Sequence, residues 1–333
     1  MIPWVLFLVL VFALLAVDLG VVNREAHVVS IRESLRWTLV WIAVSLAFNA
    51  VVYFAYEHHW FGIGRHIGHD LGGREAAIQF FTGYVIEKSL SVDNIFVIAL
   101  IFSHFRVPKQ HQHRTLFWGI VGAVVMRGAM IAAGAALIAR FDWMAYVFGA
   151  LLLFTAVRMM VGGHGDVDPS RSLLVRIARR IYPVSGEFDG PRFFTRTAAG
   201  TRAMTPMFVA LLAVEGADVL FAVDSIPAVF AVTRDPFLVF TSNIFAILGL
   251  RALYFALAAA MDRFRYIQAS LVFLLSFIGV KMILQHHFPI PAWVSLVVIG
   301  GILGTGVAAS VWANIKVARL HAAPPPQEED DTP

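Results

Sequence analysis

The chain contains the octet Glu87-Lys88-Ser89-Leu90-Ser91-Val92-Asp93-Asn94 and, further on, the octet Asp218-Val219-Leu220-Phe221-Ala222-Val223-Asp224-Ser225. Each octet has an acid, five residues, a second acid, and then a side chain with an amide or hydroxyl oxygen. Both octets lie in segments that are otherwise apolar enough to cross a bilayer. A charged side chain at the centre of a membrane helix costs about 2.5–3.5 kcal/mol on insertion scales, so such acids are candidates for function. Their recurrence in one pattern indicates an ion pathway.

The composition of the 333-residue chain is that of a polytopic membrane protein. Hydrophobic residues make up 59% of it, charged residues make up 14%, and the mean hydropathy is +0.75. A soluble domain would have about 25% charged residues. The chain has no cysteine, which excludes disulfides, thiolate metal sites and cysteine nucleophiles. Oxygen and imidazole groups are left as metal ligands.

The sequence predicts an all-α polytopic membrane protein with about nine transmembrane helices. A membrane helix needs about 17–25 apolar residues, and segments of this kind recur along the whole chain. The predicted spans are Pro3–Val21, Trp37–Tyr56, Ile78–Ser103, Leu116–Ala139, Trp143–Met160, Met207–Val232, Phe237–Ala260, Ile267–Leu284 and Pro291–Ile315. We expect the first segment to be retained as a span, because it lacks the basic region that precedes a cleaved signal peptide.

The positions of Lys and Arg predict the orientation of these spans. Of the 26 basic residues, eighteen fall in the linkers after spans one, three, five and seven, in the C-terminal tail or, for Arg158, at the end of span five, and four fall on the other side. Basic residues are enriched on the cytoplasmic side. We therefore expect an outside N-terminus and a cytoplasmic C-terminus. The pI of about 9.6 then reflects membrane topology, so nucleic acid is not expected as a partner.

Further polar residues repeat around the two octets. Arg127 and Arg251 each lie deep in an apolar segment, 31 residues before Arg158 and 30 residues before Lys281, respectively. These matches predict an inverted repeat of three plus three helices, because a unit of three spans re-enters the membrane from the opposite face. Secondary transporters place their ion site at the midplane between such repeats. Chance similarity among oily helices is the alternative.

The predicted organisation divides the chain into six parts. They are two N-terminal spans (1–77), repeat one (78–160), a cytoplasmic basic linker (161–205), repeat two (206–285), a last span (286–321) and a disordered acidic tail (322–333). Within the linker, Ser170–Tyr182 has an apolar helical face opposite its arginines. This segment is either an interfacial helix on anionic lipid or a solvated linker helix.

Seven residues are candidate ligands for a divalent cation: Glu87, Asp93, Asn94, Glu215, Asp218, Asp224 and Ser225. All offer hard oxygen atoms, which suit Mn²⁺, Ca²⁺ or Mg²⁺ and disfavour Cu⁺ and Zn²⁺. At about 100° per residue, the first and last residues of each octet point the same way, and the second acid lies roughly 120° away. We expect Pro227 to open its helix beside Asp224, and we expect Asp93 and Asp224 to meet across a pseudo-twofold axis.

Structural pairing is the alternative role for these acids. Intramembrane acids can pair with Arg127, Arg251 or Lys88 and so lock the bundle together, because buried charges need a partner. For the two arginines we favour this interpretation. Asp18 and Asn49 are better explained as packing or boundary residues than as ligands.

The acidic segments resemble those of the TerC family of bacterial integral membrane proteins. The resemblance rests on EKSLSVDNIF at Glu87–Phe96 and on EGADVLFAVDSIPAVF at Glu215–Phe230. It extends from about residue 18 to residue 283, with further agreement at Asp18–Gly20, Phe80–Tyr84 and Phe105–Pro108. The resemblance implies a bacterial inner-membrane protein, a part in manganese export, and a fold built from inverted repeats. The family's acidic motifs fall on the seven candidate ligands, and its name refers to tellurium resistance.

The leading hypothesis is a non-enzymatic exporter of a divalent cation, with Mn²⁺ as substrate. It would work by alternating access in the lipid bilayer, with proton exchange as an option and with no prosthetic cofactor. One alternative is a Ca²⁺ transporter. Another is a membrane scaffold for tellurite or envelope-stress resistance that acts through partner proteins, whose identity the sequence leaves open. An intramembrane enzyme is disfavoured, because no ordered pair of nucleophile and base is present.

Overall fold

Eleven α-helices contain most of the residues that the structure, a computed structural model, describes. The described residues are 2–20, 30–65, 70–141, 143–161, 172–196, 200–258, 266–285, 288 and 290–321. The helices are α1 (Ile2–Gly20), α2 (Ile31–Glu57), α3 (Gly73–His104), α4 (Lys109–Arg140), α5 (Met144–Val161), α6 (Leu173–Ile181), α7 (Pro206–Phe230), α8 (Pro236–Leu248), α9 (Leu250–Ala258), α10 (Ile267–Leu284) and α11 (Ala292–His321).

The predicted all-α membrane class is confirmed, and the described residues of each of the nine apolar segments are mostly helical. The seventh segment is divided between α8 and α9. Among the described residues, six helical stretches are long and apolar enough to cross a membrane: Arg32–Glu57, Lys109–Arg140, Met144–Val161, Pro206–Phe230, Pro236–Ala256 and Ala292–Ile315. Apolar stretches in α1 and α10 are shorter, and α3, which contains the first octet, is not among the six. The count of nine spans therefore remains a prediction.

Helix α8 forms the centre of the bundle. All of its residues from Phe237 to Leu248 are buried, and it packs against α3 and α4. Its first turn is fixed locally, because the Asp235 side chain accepts a 2.8 Å hydrogen bond from the backbone N–H of Phe237 and Pro236 takes the first helical position. An aromatic cluster joins α8 to α1, α2 and α3, with ring contacts among Trp4, Phe7, Phe48, Phe80, Phe237, Phe240 and Phe245.

Helices α5 and α10 approach closely through two glycines. A Cβ atom at Gly149 would lie 2.9 Å from the carbonyl oxygen of Gly279, and a Cβ atom at Gly279 would lie 3.0 Å from the carbonyl oxygen of Gly149. Small residues at such crossings let membrane helices bring their backbones together. This contact holds the last helix of each predicted repeat against its counterpart.

The basic linker has more structure than the sequence predicted. Helix α6 lies within the predicted linker helix, with Val175 buried and with Leu173, Ile177 and Ile181 exposed. It packs against α7. After it, strands β1 (Phe194–Arg196) and β2 (Arg202–Met204) form an antiparallel pair that the sequence analysis did not predict. Three residues per strand are too few for a clear alternating pattern. The predicted disordered tail at 322–333 lies outside the described residues.

Pro227 does not interrupt α7, which corrects the expectation that the helix opens beside Asp224. The helix runs without a break from Pro206 to Phe230. Pro227 stands in the last turn, where the missing N–H costs one hydrogen bond and the chain is about to leave the helix. The physical effect of the proline is therefore confined to the end of α7.

Candidate functional site

The guanidinium of Arg127 lies at the buried centre of the bundle, between acids from two other helices. Arg127 projects from α4 and is 1% exposed. Its Nε and Nη2 atoms donate to the two carboxylate oxygens of Asp218 on α7, at 3.0 and 2.7 Å. Its Nη1 atom donates to Glu87 of α3, whose side chain is fully buried. One cation thus joins the first acid of each octet.

Two neutral side chains complete this arrangement, which we call the Arg127 cluster (Glu87, Arg127, Asp218, Ser225, Asn243). Asn243 of α8 accepts a 3.1 Å hydrogen bond from Nη1 of Arg127 and donates a 2.9 Å hydrogen bond to Glu87. Ser225 lies 3.3 Å from the same nitrogen and accepts from it. Because Arg127, Glu87 and Asn243 contact one another in a closed triangle, each fixes the orientation of the other two.

Four helices position the cluster. Helix α3 packs against α7 and α8, and α4 packs against the same two helices. On α7, Asp218 and Ser225 are seven residues apart, which is about two turns, so both point to one side of the helix. Their shared contact with Arg127 confirms that part of the sequence prediction.

The remaining predicted ligands lie outside the Arg127 cluster. Asn94, buried on α3, lines a cavity of about 30 Å³ together with Asp218 and Arg251. That volume holds about one or two water molecules. Asp93 is half-buried on α3. Asp224 is half-buried on α7 and accepts a 2.8 Å hydrogen bond from the Thr155 hydroxyl of α5.

Glu215 faces α4 at a point of close helix contact. A Cβ atom at Gly122 would collide with the Glu215 carboxylate. Within the described part of the chain, the buried Oε2 atom of Glu215 has no hydrogen-bond partner. Gly122 and the unpaired carboxylate oxygen of Glu215 therefore lie next to each other between α4 and α7.

The predicted pairing of Arg127 with intramembrane acids is confirmed by its contacts with Glu87 and Asp218. Lys88 instead donates a 3.2 Å hydrogen bond to the carbonyl oxygen of Ala246, near the end of α8. In the described ranges, no group of three or more His, Asp or Glu side chains is arranged to hold a metal ion. Glu87 and Asp218 are thus held by a guanidinium, and Asp224 is held by a neutral hydroxyl donor.

Sequence reasoning missed Asn243 and Thr155. Asn243 offers a signal that could have been used, because it is an amide in the middle of an apolar segment, and a buried amide needs partners. Thr155 gives a weaker signal, since a threonine hydroxyl in a helix often bonds its own backbone four residues back. The contact of Thr155 with Asp224 depends on how α5 packs against α7.

Comparison with known proteins shows the family. The sequence model of the Integral membrane protein TerC family matches residues 72–318. An uncharacterized membrane protein, STKORF319, of Myxococcus xanthus is 47% identical over 308 residues, covering 92% of this chain and 91% of the other. The putative membrane-bound redox modulator Alx of Escherichia coli K12 is 43% identical over 314 residues, covering 94% of this chain and 95% of the other.

No solved structure matches the chain. An uncharacterized membrane protein of Rickettsia bellii is 39% identical over 308 residues, covering 92% of this chain and 96% of the other. The family model and each of these relatives match most of the chain. The chain therefore belongs to the TerC family of integral membrane proteins, as its acidic segments indicated.

Proposed function

We propose, for this member of the TerC family, the export of a divalent cation across the bacterial inner membrane, with Mn²⁺ as the preferred substrate. The observation that carries the proposal is the meeting of Glu87 and Asp218 in the Arg127 cluster. These are the first acids of the two matching octets, and they share one buried cation. Intramembrane carboxylates that face a bundle interior are typical of ion pathways.

The chemistry of the lining favours a hard cation. Glu87, Asp218, Ser225 and Asn243 offer carboxylate, hydroxyl and amide oxygens, and Asn94 adds an amide in the adjoining cavity. Oxygen ligands of this kind suit Mn²⁺, Mg²⁺ and Ca²⁺. The cavity beside Asp218 gives an incoming ion a place next to the carboxylate.

Helix packing supports the inverted repeat that alternating access requires. In the proposed repeat, α3 corresponds to α7, α4 to α8 with α9, and α5 to α10. Helix α3 packs against α8 as α4 packs against α7, and α5 packs against its counterpart α10. Every one of these contacts is retained when the two repeats are exchanged. We propose that rocking of one repeat against the other opens the site to each side in turn.

The description of the Escherichia coli relative as a putative redox modulator fits this proposal indirectly. The present chain has no cysteine, so we do not propose that it exchanges thiols and disulfides. Manganese is itself a redox-active metal, and its export would link transport to redox balance without chemistry on the protein.

Metal flux in inverted membrane vesicles tests the proposal. We expect Asp218→Asn, Asp93→Asn and Asp224→Asn each to lower Mn²⁺ accumulation by about 10- to 100-fold, the loss seen when groups around a bound metal are changed. Glu187→Gln is the matched control, because Glu187 is an exposed linker acid and its loss should leave the flux unchanged. Unchanged Mn²⁺ flux in all three aspartate variants would contradict the proposal. Competition by Ca²⁺, Mg²⁺ and Zn²⁺ then ranks the substrates.

A further inference from the structure

Arg127 uses the same oxygen atoms that a transported cation would need. Three of the seven predicted ligands, Glu87, Asp218 and Ser225, accept hydrogen bonds from its guanidinium. Asn243 accepts another. A guanidinium has five N–H donors in one plane, and here its three nitrogen atoms all bond to site oxygens.

We propose that Arg127 is a tethered counter-cation that fills the ion-free site and is displaced when a divalent cation binds. This inference rests on the proposed function and adds to it a competitor built into the chain. Arg127 and the metal ion would alternate on Glu87 and Asp218. Substrate binding and release would then be coupled to a movement of one side chain.

The geometry makes simultaneous occupation unfavourable. Both Asp218 oxygens are engaged by the fork of Nε and Nη2, at 3.0 and 2.7 Å, and one Glu87 oxygen is engaged by Nη1. The other Glu87 oxygen accepts from Asn243. A cation that takes either acid as a ligand must take lone pairs from these donors.

The electrostatics allow the displacement. A divalent cation places twice the charge of a guanidinium next to the same carboxylates, and the attraction between charges is stronger in a buried site than in water. A small and mostly apolar cavity, lined also by Asn94 and Arg251, leaves space beside Asp218. Asp218 is also the more accessible acid, with a side chain 13% exposed against 0% for Glu87. We therefore assign Asp218 as the first acid to exchange Arg127 for metal.

A competitor and a structural lock predict opposite effects on metal binding. If Arg127 competes with the cation, its removal frees the carboxylates and strengthens binding. If Arg127 only holds the helices together, its removal weakens binding along with the fold. A lysine at this position keeps the charge but, as a compact ammonium, cannot reproduce the planar fork to Asp218.

Equilibrium dialysis of radioactive Mn²⁺ against the full chain in detergent provides the test. We expect Arg127→Gln to bind Mn²⁺ about tenfold more tightly than the wild type, within the usual range of coupling between sites. Arg127→Lys keeps the charge but loses the fork, so its affinity should lie between those of Arg127→Gln and the wild type. We also expect both to transport it more slowly in vesicles, because the ion is no longer expelled by the guanidinium. Arg192→Gln, in an exposed ion pair with Asp189, is the control and should change neither quantity.

The possible results distinguish a competitor role of Arg127 from a purely structural role. Equal or weaker Mn²⁺ binding in folded Arg127 variants overturns the inference. Failure of both variants to fold also overturns it, because Arg127 would then be a structural lock. If Arg127→Gln alone fails to fold, Arg127→Lys decides. The proposed function is contradicted by a different result, unchanged Mn²⁺ flux in the Asp218, Asp93 and Asp224 variants. If the wild type binds Mn²⁺ and the Arg127 variants bind it no more tightly, only the competitor role is contradicted.

Discussion

Two carboxylates, from Glu87 and Asp218, share the buried guanidinium of Arg127. Each charge would be costly at the centre of a bilayer, and pairing offsets part of that cost. Removing one partner from a buried pair typically costs about 3–5 kcal/mol, because the other charge is left without compensation. While no ion is bound, the cluster therefore constrains the bundle. The chemistry of the cluster depends on which carboxylate oxygen faces which guanidinium nitrogen of Arg127.

Gly122 on α4 lies against the Glu215 carboxylate of α7. In Gly122→Ala the new Cβ would collide with the Glu215 carboxylate, which is the movable end of a flexible side chain, so we expect a loss of about 1 kcal/mol in stability, at the low end for overpacked sites. Thermal unfolding in detergent measures it. Gly300→Ala is the matched control, because open space surrounds Gly300 in α11, and alanine there should stabilise the helix by up to about 1 kcal/mol.

The double variant Gly122→Ala with Glu215→Ala sharpens this test. Because the collision involves the Glu215 side chain, its removal should restore most of the stability that Gly122→Ala loses. A double variant as unstable as Gly122→Ala alone would show that the glycine serves the backbone contact of α4 and α7 in some other way.

Helices α2 and α8 are joined by a buried hydrogen bond at one end of the bundle. The Tyr56 hydroxyl donates to a carboxylate oxygen of Asp235 at 2.6 Å, and the other oxygen of Asp235 caps the first turn of α8. Burial raises the pKa of the Asp235 carboxyl, and the hydrogen bonds from Tyr56 and from the backbone oppose that rise. A single acid thus fixes both the start of the central helix and its neighbour.

Tyr56→Phe should lower stability in a pH-dependent way. Because the pKa of Asp235 is higher in the folded than in the unfolded chain, its ionisation costs stability as the pH rises through the interval between these two values. The variant loses a bond that favours the ionised form, so the pKa rises further. We expect a small loss near pH 4 that grows to about 1.5–3 kcal/mol at neutral pH.

Thermal unfolding between pH 4 and pH 8 checks this expectation. Tyr53→Phe, on the same helix but exposed, is the control and should behave like the wild type throughout. A loss in Tyr56→Phe that is the same at every pH would mean that the hydroxyl acts through packing rather than through the Asp235 carboxylate.

The orientation of the whole molecule in the membrane is the property that the sequence predicts most directly. Basic residues gather on one side of the predicted spans, and we propose that this side is cytoplasmic. The structure adds the hairpin β1–β2 and helix α6 to that side, between the two proposed repeats. The linker thus contains folded elements that pack on α7.

Cysteine labelling of intact cells tests the orientation, and a chain without native cysteine is well suited to it. His58→Cys places a thiol at an exposed position after α2, and Glu187→Cys places one at an exposed position in the linker. A membrane-impermeant maleimide should label the first and not the second, and should label both after the cells are broken open. The reverse pattern in intact cells would place the linker outside.

The sequence by itself determined the membrane class, the positions of the apolar helices and the family, because each depends on local composition or on short motifs. It also identified Arg127 as a partner for intramembrane acids. It did not determine that Asn243 would bond both Arg127 and Glu87, that Thr155 would bond Asp224, or that α7 would continue through Pro227. The hydrogen bonds of Asn243 and Thr155 depend on contacts between residues far apart in the chain. Only the packing of α3, α4, α5, α7 and α8 brings these residues together.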